Sequence, residues 1–149
     1  MNSKPRILLV DDEERILRTL TMLLRMQYQV FSTTDGHEAL KILQQEKINV
    51  LISDQRMPTM IGTELLEKAK NLSPNTVRIL LTGYADVEAA MDSVNDGEIF
   101  RYINKPWGPK ELRDTVADAV NIAAKLEKVN VPSFPAPVPA KGLTCLVLD

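Results

Sequence analysis

The feature that most constrains the fold is a short apolar run that ends in a carboxylate. Residues 49–54 read Asn-Val-Leu-Ile-Ser-Asp, and an uninterrupted run of this kind is typical of a parallel strand whose two faces are both covered by helices. Asp54 then lies at the carboxyl end of the strand, the edge where open α/β sheets bind ligands. Residues 55–62 contain a proline and a glycine and predict a loop, so we expect nothing to bury Asp54.

Apolar strands and amphipathic helices alternate along most of the chain. Four more strands are predicted, at Arg6–Val10, Tyr28–Phe31, Val77–Thr82 and Ile99–Ile103. Apolar residues recur at helical spacing after each strand, including a fourth helix over residues 87–94 and a fifth over residues 112–123. Five strands alternating with five helices predict an α/β, flavodoxin-like, doubly wound parallel sheet of strand order 2-1-3-4-5.

Three acidic residues meet at the switch point of such a sheet, between its first and third strands. Asp11, Asp12 and Asp54 would share one crevice there, where each like-charged pair costs roughly 4 kcal/mol at about 4 Å and an effective dielectric near 20. Magnesium would relieve this repulsion and is the cation that hard oxygen ligands suit best. Asp54 is then a candidate nucleophile for an aspartyl phosphate, and Thr82 and Lys105 are candidate donors to the phosphoryl oxygens.

Taken one at a time, these residues have ordinary structural explanations. Asp11 and Asp12 alone are better explained as the cap of a helix, and an aspartate such as Asp54 can close a turn at a strand end. A threonine is a common strand residue. The cap explanation becomes less favoured than a shared binding site once Asp54 and Lys105 are considered together with Asp11 and Asp12. For Tyr102, a half-buried core ring and a switching role are equally supported, and both can hold.

Three short motifs follow the acids in order along the chain. They are Asp-Gln-Arg-Met-Pro at 54–58, which Gly62 follows, Leu-Thr-Gly-Tyr at 81–84 and Asn-Lys-Pro-Trp at 104–107. With these motifs, residues 4–128 resemble a bacterial two-component response-regulator receiver domain. Within that family the motifs are similar to those of receivers attached to cyclic-di-GMP phosphodiesterases of the HD-GYP type or to histidine kinases.

The resemblance implies a phosphoacceptor and its metal. Asp54 would take phosphate from the histidine of a partner kinase or phosphotransfer protein, in two-component signalling or a phosphorelay. Mg²⁺ would be held by Asp11, Asp12, Asp54 and the backbone carbonyl of Arg56.

The resemblance also implies how phosphorylation becomes a signal. Thr82 would be the switch hydroxyl, Tyr102 the aromatic residue that turns inward with it, and Lys105 the cation that pairs with the phosphoryl group. The Lys105–Pro106 bond is cis in this family. We expect the output surface to be the fourth helix, the fifth strand and the fifth helix, because these three residues lie at its borders.

By the same resemblance, two positions flank the path of the hydrolytic water. They are occupied here by Arg56 and Tyr84, which are bulkier than the residues that the family pattern implies. We expect them to shield the phosphoryl group and to slow its loss.

Composition limits the class of partner. Eighteen basic and twenty acidic residues give a net charge of -2, which argues against direct binding of nucleic acid or of a membrane surface. No apolar stretch approaches the roughly 20 residues of a membrane helix, and the chain begins with a strand and not a signal sequence, which predicts a cytoplasmic protein. His37 is expected to be exposed, and Cys145 has no partner for a disulfide or a metal site.

The last residues differ in composition from the rest. Residues 129–142 are rich in proline and predict an extended linker, and residues 143–149 are strand-like. Either residues 143–149 begin a C-terminal output domain, or they add to a sheet edge of the same chain or of a second copy in a homodimer.

Two other functions share these residues. One is a Mg²⁺-dependent phosphohydrolase with an aspartyl-phosphate intermediate, which is disfavoured because no carboxylate stands two residues after Asp54 to act as general acid. The other is a phosphate-independent interaction module of the same fold, which is disfavoured because every residue that the chemistry requires is present.

Overall fold

The computed structural model describes residues 4–83 and 101–129. Among the helices in these two ranges, none is both long and apolar enough to cross a membrane. The strands are β1 (Arg6–Val10), β2 (Gln29–Thr33), β3 (Val50–Asp54), β4 (Val77–Thr82) and β5 (Arg101–Asn104). The helices are α1 (Glu14–Leu24), α2 (Gly36–Gln45), α3 (Gly62–Leu72) and the C-terminal helix (Pro109–Val129).

The strands form one parallel sheet of order β2-β1-β3-β4-β5. This confirms the predicted fold class and strand order. β1 lies between β2 and β3, so the connections leave the sheet in opposite directions on either side of it. The predicted fourth helix, over residues 87–94, lies outside the described residues.

Two apolar layers sandwich the sheet. One layer joins one face of β1, β3 and β4 to α1 and the C-terminal helix, through residues such as Leu20 and Val116. The other layer joins the opposite face to α2 and α3, through residues such as Leu43 and Leu66. Every residue of β3 and β4 is buried, which explains why both strands lack polar alternation. Each fully buried aliphatic side chain contributes about 1.5–3 kcal/mol to folding.

The boundaries of two strands, β2 and β5, differ from the prediction. β2 was predicted at Tyr28–Phe31 and runs over Gln29–Thr33, because its pairing with β1 continues past the apolar run until Val10 lies opposite Thr33. Tyr28 instead closes the end of α1, with its N–H donating to the Leu24 carbonyl at 3.0 Å. β5 likewise extends to Asn104, which pairs with Thr82.

Candidate functional site

The acidic residues meet at the carboxyl edge of the sheet, as the strand order predicted. Asp11 and Asp12 follow β1 directly, and Asp54 is the last residue of β3. Asp11 and Asp54 are buried and Asp12 is exposed. One carboxylate oxygen from each of the three lies within 4.8 Å of the others, so the residues form one compact group of oxygen ligands.

Lys105 lies against this group from the loop after β5. Its Nζ is 2.6 Å from Asp54 Oδ1 and 3.9 Å from Asp11 Oδ2. Its backbone N–H donates to the Thr82 carbonyl at 2.9 Å, and the Lys105–Pro106 bond is cis, as the resemblance implied. The pocket therefore holds three carboxylates and one ammonium, which leaves it net negative.

The two oxygens of Asp11 have different environments. Oδ1 accepts the backbone N–H of Glu13 at 2.9 Å. Oδ2 is buried and, among the residues that the structure describes, makes no hydrogen bond. The helix cap that Asp11 and Asp12 alone would suggest is not formed, because the N-cap of α1 is Glu13 and no side chain caps it. Asp11 closes a turn with one oxygen and points the other into the pocket, where a cation would satisfy it.

Burial and charge crowding shift the titration of the pocket. Burial, with repulsion from Asp54 and Asp12, raises the pKa of Asp11 to about 6, although the Glu13 N–H and Lys105 oppose the shift. Burial also raises the pKa of Asp54, against the opposing effect of Lys105. Burial lowers the pKa of Lys105, but the hydrogen bond to Asp54 and the charges of Asp54 and Asp11 outweigh it, so that pKa is raised. The carboxylates are thus incompletely compensated.

The expectation that nothing would bury Asp54 was wrong. Only 5% of Asp54 is exposed, because Lys105 lies against its carboxylate and the following loop folds back toward β3. The loop is closed by the N–H of Gly62, which donates to the Gln55 carbonyl at 2.9 Å. Loop residue Met57 is itself buried in the apolar layer beneath α2 and α3. Proline and glycine predicted the loop correctly, but not its packing.

The residues assigned to the switch are placed as follows. Thr82 is buried at the end of β4, and its hydroxyl donates a long 3.3 Å bond to the Gly83 carbonyl. Tyr102 is half-buried against the layer of α2 and α3, and burial raises its pKa, which supports the core explanation for its ring. Arg56 is exposed, and Tyr84 lies outside the described residues.

Gln55 and Gly62 are structurally important residues whose roles the sequence did not indicate. Gln55 accepts hydrogen bonds at the start of α3 through its backbone and side-chain oxygens. Gly62 was predicted as a loop residue and as one of the residues after the acceptor that carry the resemblance, but not for its packing. A Cβ at this position would collide with the backbone oxygen of Asp54. A small residue eight positions after the acceptor was the available signal for Gly62, and no pattern indicated Gln55.

Comparison with known proteins agrees with this geometry. The response regulator receiver domain model matches residues 7–117. Hydrogenase transcriptional regulatory protein HoxA of Cupriavidus necator is 39% identical over 76% of this chain and 24% of that protein. Sporulation initiation phosphotransferase F of Bacillus subtilis is 32% identical over 78% of this chain and 92% of that protein. This chain spans about a quarter of the length of the HoxA proteins.

Solved structures are similar over nearly the whole described fold. The signal receiver domain of an HD domain-containing protein from Pseudomonas fluorescens Pf-5 superposes with a TM-score of 0.80 and 35% identity, covering 86% of this chain and 95% of that one. A receiver domain protein from Methanospirillum hungatei JF-1 superposes with a TM-score of 0.77 and 34% identity, covering 83% of this chain and 98% of that one.

Proposed function

From the premise that this chain belongs to the response regulator receiver domain family, and is therefore a signalling domain of a two-component system, we propose that Asp54 is its phosphoacceptor. The observation that carries the proposal is the position of the Asp54 carboxylate. It lies at the carboxyl end of β3, 2.6 Å from the Lys105 ammonium and within 4.8 Å of oxygens from Asp11 and Asp12.

The acidic residues fit a magnesium ion. Asp11, Asp12 and Asp54 would hold it with their side chains, and Arg56 with its backbone carbonyl. The fit is supported by the excess of carboxylates over ammonium groups and by the buried Asp11 Oδ2 that lacks a hydrogen bond among the described residues. Bound Mg²⁺ supplies positive charge that offsets the charge of the phosphoryl oxygens.

The transfer step uses Asp54 as a nucleophile. A carboxylate oxygen of Asp54 forms a bond to phosphorus while the phosphorus–nitrogen bond of the donor phosphohistidine breaks. The electron pair of that bond stays on the imidazole nitrogen, which then takes a proton from solvent. The role of Lys105 is to exchange its contact with Asp54 for one with a phosphoryl oxygen, a charge-assisted pairing.

Phosphorylation would change the positions of Thr82 and Tyr102, at the side of the pocket formed by β4 and β5. The new group adds about 1.5 to 2 negative charges and three acceptor oxygens, so the Thr82 hydroxyl would leave its long bond to Gly83 for a phosphoryl oxygen. Tyr102 would move with it. The output surface would comprise the predicted fourth helix, β5 and the C-terminal helix. Absence of amide chemical-shift changes in β5 and the C-terminal helix after addition of beryllofluoride and Mg²⁺ would contradict this output surface.

Two bulky residues would set the lifetime of the phosphorylated state. Arg56 and Tyr84 would shield the phosphoryl group from water, and the exposed position of Arg56 beside Asp54 is compatible with such a shield. Replacing Arg56 with the smaller Asn should then speed dephosphorylation. A rate equal to that of the unmodified chain, or slower, would contradict the shield.

The partners follow from the chemistry. A histidine kinase or phosphotransfer protein would supply the phosphoryl group in the cytoplasm, and an attached C-terminal output domain or a partner protein would respond to it. Residues 4–128 would form the receiver, residues 129–142 a linker, and residues 143–149 the start of an output domain or an added strand in a homodimer. Direct contact of the receiver with nucleic acid or membrane is not proposed.

One experiment separates this function from its two rivals. The chain is incubated with acetyl phosphate and Mg²⁺, and intact mass and released inorganic phosphate are followed together. A receiver accumulates one phosphoryl adduct, and phosphate is released no faster than the adduct decays. Continuous phosphate release with many turnovers would favour the phosphohydrolase, and no adduct and no release would favour the phosphate-independent module.

A further inference from the structure

Gln55, the residue directly after Asp54, is bonded to both elements that flank the acceptor. Its backbone N–H donates to the Leu81 carbonyl on β4 at 3.1 Å. Its backbone carbonyl accepts the N–H of Gly62 at 2.9 Å, and its side-chain Oε1 accepts the N–H of Thr63 at 2.9 Å. Its Nε2 is 3.5 Å from the Thr63 hydroxyl, which is at the limit of a hydrogen bond.

These hydrogen bonds cap the amino end of α3, although Gln55 lies several residues before the helix in the sequence. The first amides of a helix have no partner within the helix and need an acceptor from elsewhere. The N-cap residue of α3 is Ile61, whose apolar side chain accepts nothing. Gln55 therefore supplies, from the end of β3, acceptors for the first two amides of α3, those of Gly62 and Thr63.

The same bonds fix both ends of the loop over residues 56–61. The loop leaves from Gln55 and returns to it at the start of α3, where Gly62 packs directly against the backbone oxygen of Asp54. Arg56 is the first residue of this loop, and its backbone carbonyl is the proposed fourth ligand of Mg²⁺. Without the Gln55 amide, the N–H of Thr63 loses its acceptor and the returning end of the loop is held by one bond fewer.

Resting on the proposed metal site, we infer that Gln55 is a positioning residue. Its side-chain amide pins the start of α3 to the end of the acceptor strand, and thereby holds the Arg56 carbonyl where it completes the magnesium site. In this role Gln55 would act through the loop and not as a ligand of the metal.

The test measures Mg²⁺ affinity directly, without phosphorylation, by titrating the full chain with MgCl₂ and following backbone amide shifts around Asp54 by NMR. Gln55→Met keeps the length of the side chain and removes the amide. Loss of one such hydrogen bond should weaken Mg²⁺ binding by about fivefold. Hydrogen exchange of the Thr63 amide should also become faster, whereas that of the Leu9 amide in the centre of the sheet should not.

Asn49→Leu is the matched control. Asn49 Oδ1 accepts the N–H of Arg6 at 2.8 Å, so this change removes a comparable bond from a side chain to the backbone at the opposite end of β3. Its Mg²⁺ affinity should equal that of the unmodified chain. Equal weakening of Mg²⁺ binding in both variants would show that the effect follows from a general loss of stability, and it would overturn the inference. An unchanged Mg²⁺ affinity in Gln55→Met would also overturn it.

A second variant covers the case in which Gln55→Met does not fold. Gln55→Glu retains an oxygen for the Thr63 N–H, so its Mg²⁺ affinity should be no weaker than that of the unmodified chain. A Glu variant about fivefold weaker would overturn the inference. Failure of the unmodified chain itself to bind Mg²⁺ would overturn the proposed metal site, and this inference with it. An unchanged Mg²⁺ affinity in Gln55→Met would overturn the inference alone.

Discussion

At the amino edge of the sheet, two polar side chains form hydrogen bonds with the backbone. Asn49 Oδ1 accepts the N–H of Arg6 at 2.8 Å, and the buried Thr76 hydroxyl donates to the Ile48 carbonyl at 2.7 Å. At the carboxyl edge, the buried Asp11 Oδ2 has no hydrogen bond within the described ranges. The pKa of its carboxyl is raised to about 6, chiefly by burial. The amino edge of the sheet thus has polar side chains that are hydrogen-bonded to the backbone, whereas the carboxyl edge has a crowded acidic pocket.

The hydrogen bonds at the amino edge contribute to stability, whereas the charges at the carboxyl edge are suited to binding a ligand. The hydrogen bonds of Asn49 and Thr76 hold adjacent segments together at the amino edge and need nothing from outside the chain. The carboxyl edge carries charges that the protein itself compensates only in part, so a cation or a phosphoryl group that arrives there meets groups that are not fully satisfied. Changes at the carboxyl edge should therefore respond to Mg²⁺ and pH, and changes at the amino edge should not.

The largest loss of stability is expected from Lys105→Met. Removing the ammonium leaves Asp54 and Asp11 without their cation, and breaking a buried pair costs about 3 kcal/mol, the low end of the usual range because the Lys105 side chain is 34% exposed. The free energy of unfolding, measured with urea at pH 7 without Mg²⁺, should fall by that amount, and Mg²⁺ should restore part of it.

Lys110→Met is the control for Lys105→Met. Its partner Asp114 is nearly as close, at 2.8 Å, but both side chains are mostly exposed, so the loss should not exceed about 0.5 kcal/mol. Equal losses in the two variants would show that the pocket is no more charge-sensitive than the surface.

An effect of similar size and opposite sign is expected from Asp11→Asn. The pKa of Asp11 is about 6 in the folded chain against 3.8 for the ordinary group, so the folded state binds more protons between these values and loses stability as pH rises through them. The Asn variant avoids this loss and can still accept the Glu13 N–H.

Without Mg²⁺, Asp11→Asn should therefore match the unmodified chain below about pH 4 and exceed its free energy of unfolding by about 3 kcal/mol above about pH 6. Urea unfolding across this pH range checks the prediction. Saturating Mg²⁺ should reverse the order, because the unmodified chain then gains ligand-binding stability. A difference that is constant with pH would contradict the account of the pocket.

Apart from the Lys110→Met control, the smallest effect is expected at the amino edge, from Thr76→Val. The hydroxyl also shares a hydrogen bond with Ser73, and its removal should lower the free energy of unfolding by about 1 kcal/mol. The loss should be the same with and without Mg²⁺ and at pH 4 and pH 7. A loss that depended on Mg²⁺ would show that the amino edge also responds to the metal, and would contradict the difference between the two edges.

The sequence was sufficient for the architecture because its signals are local. Two fully buried strands and several helical stripes predict a doubly wound sheet, and the strand order then places Asp11, Asp12 and Asp54 together. Boundaries were less accurate where pairing with a neighbour strand extends past the apolar residues, as at Thr33 and Asn104.

The details of the pocket depend on contacts between distant segments, and for that reason they could not be predicted. The burial of Asp54 depends on Lys105, which arrives from another loop. The role of Gln55 depends on the return of the chain to Thr63, and the need for glycine at position 62 on the backbone of Asp54. None of these contacts leaves a periodic or compositional trace in the sequence.

The most direct test of the central claim compares the unmodified chain with Asp54→Asn after incubation with acetyl phosphate, with Mg²⁺ or with EDTA, by intact mass. The account predicts a single phosphoryl adduct on the unmodified chain in Mg²⁺, and none on that chain in EDTA or on Asp54→Asn in either condition. An adduct of similar yield on Asp54→Asn, or on the unmodified chain in EDTA, would contradict it.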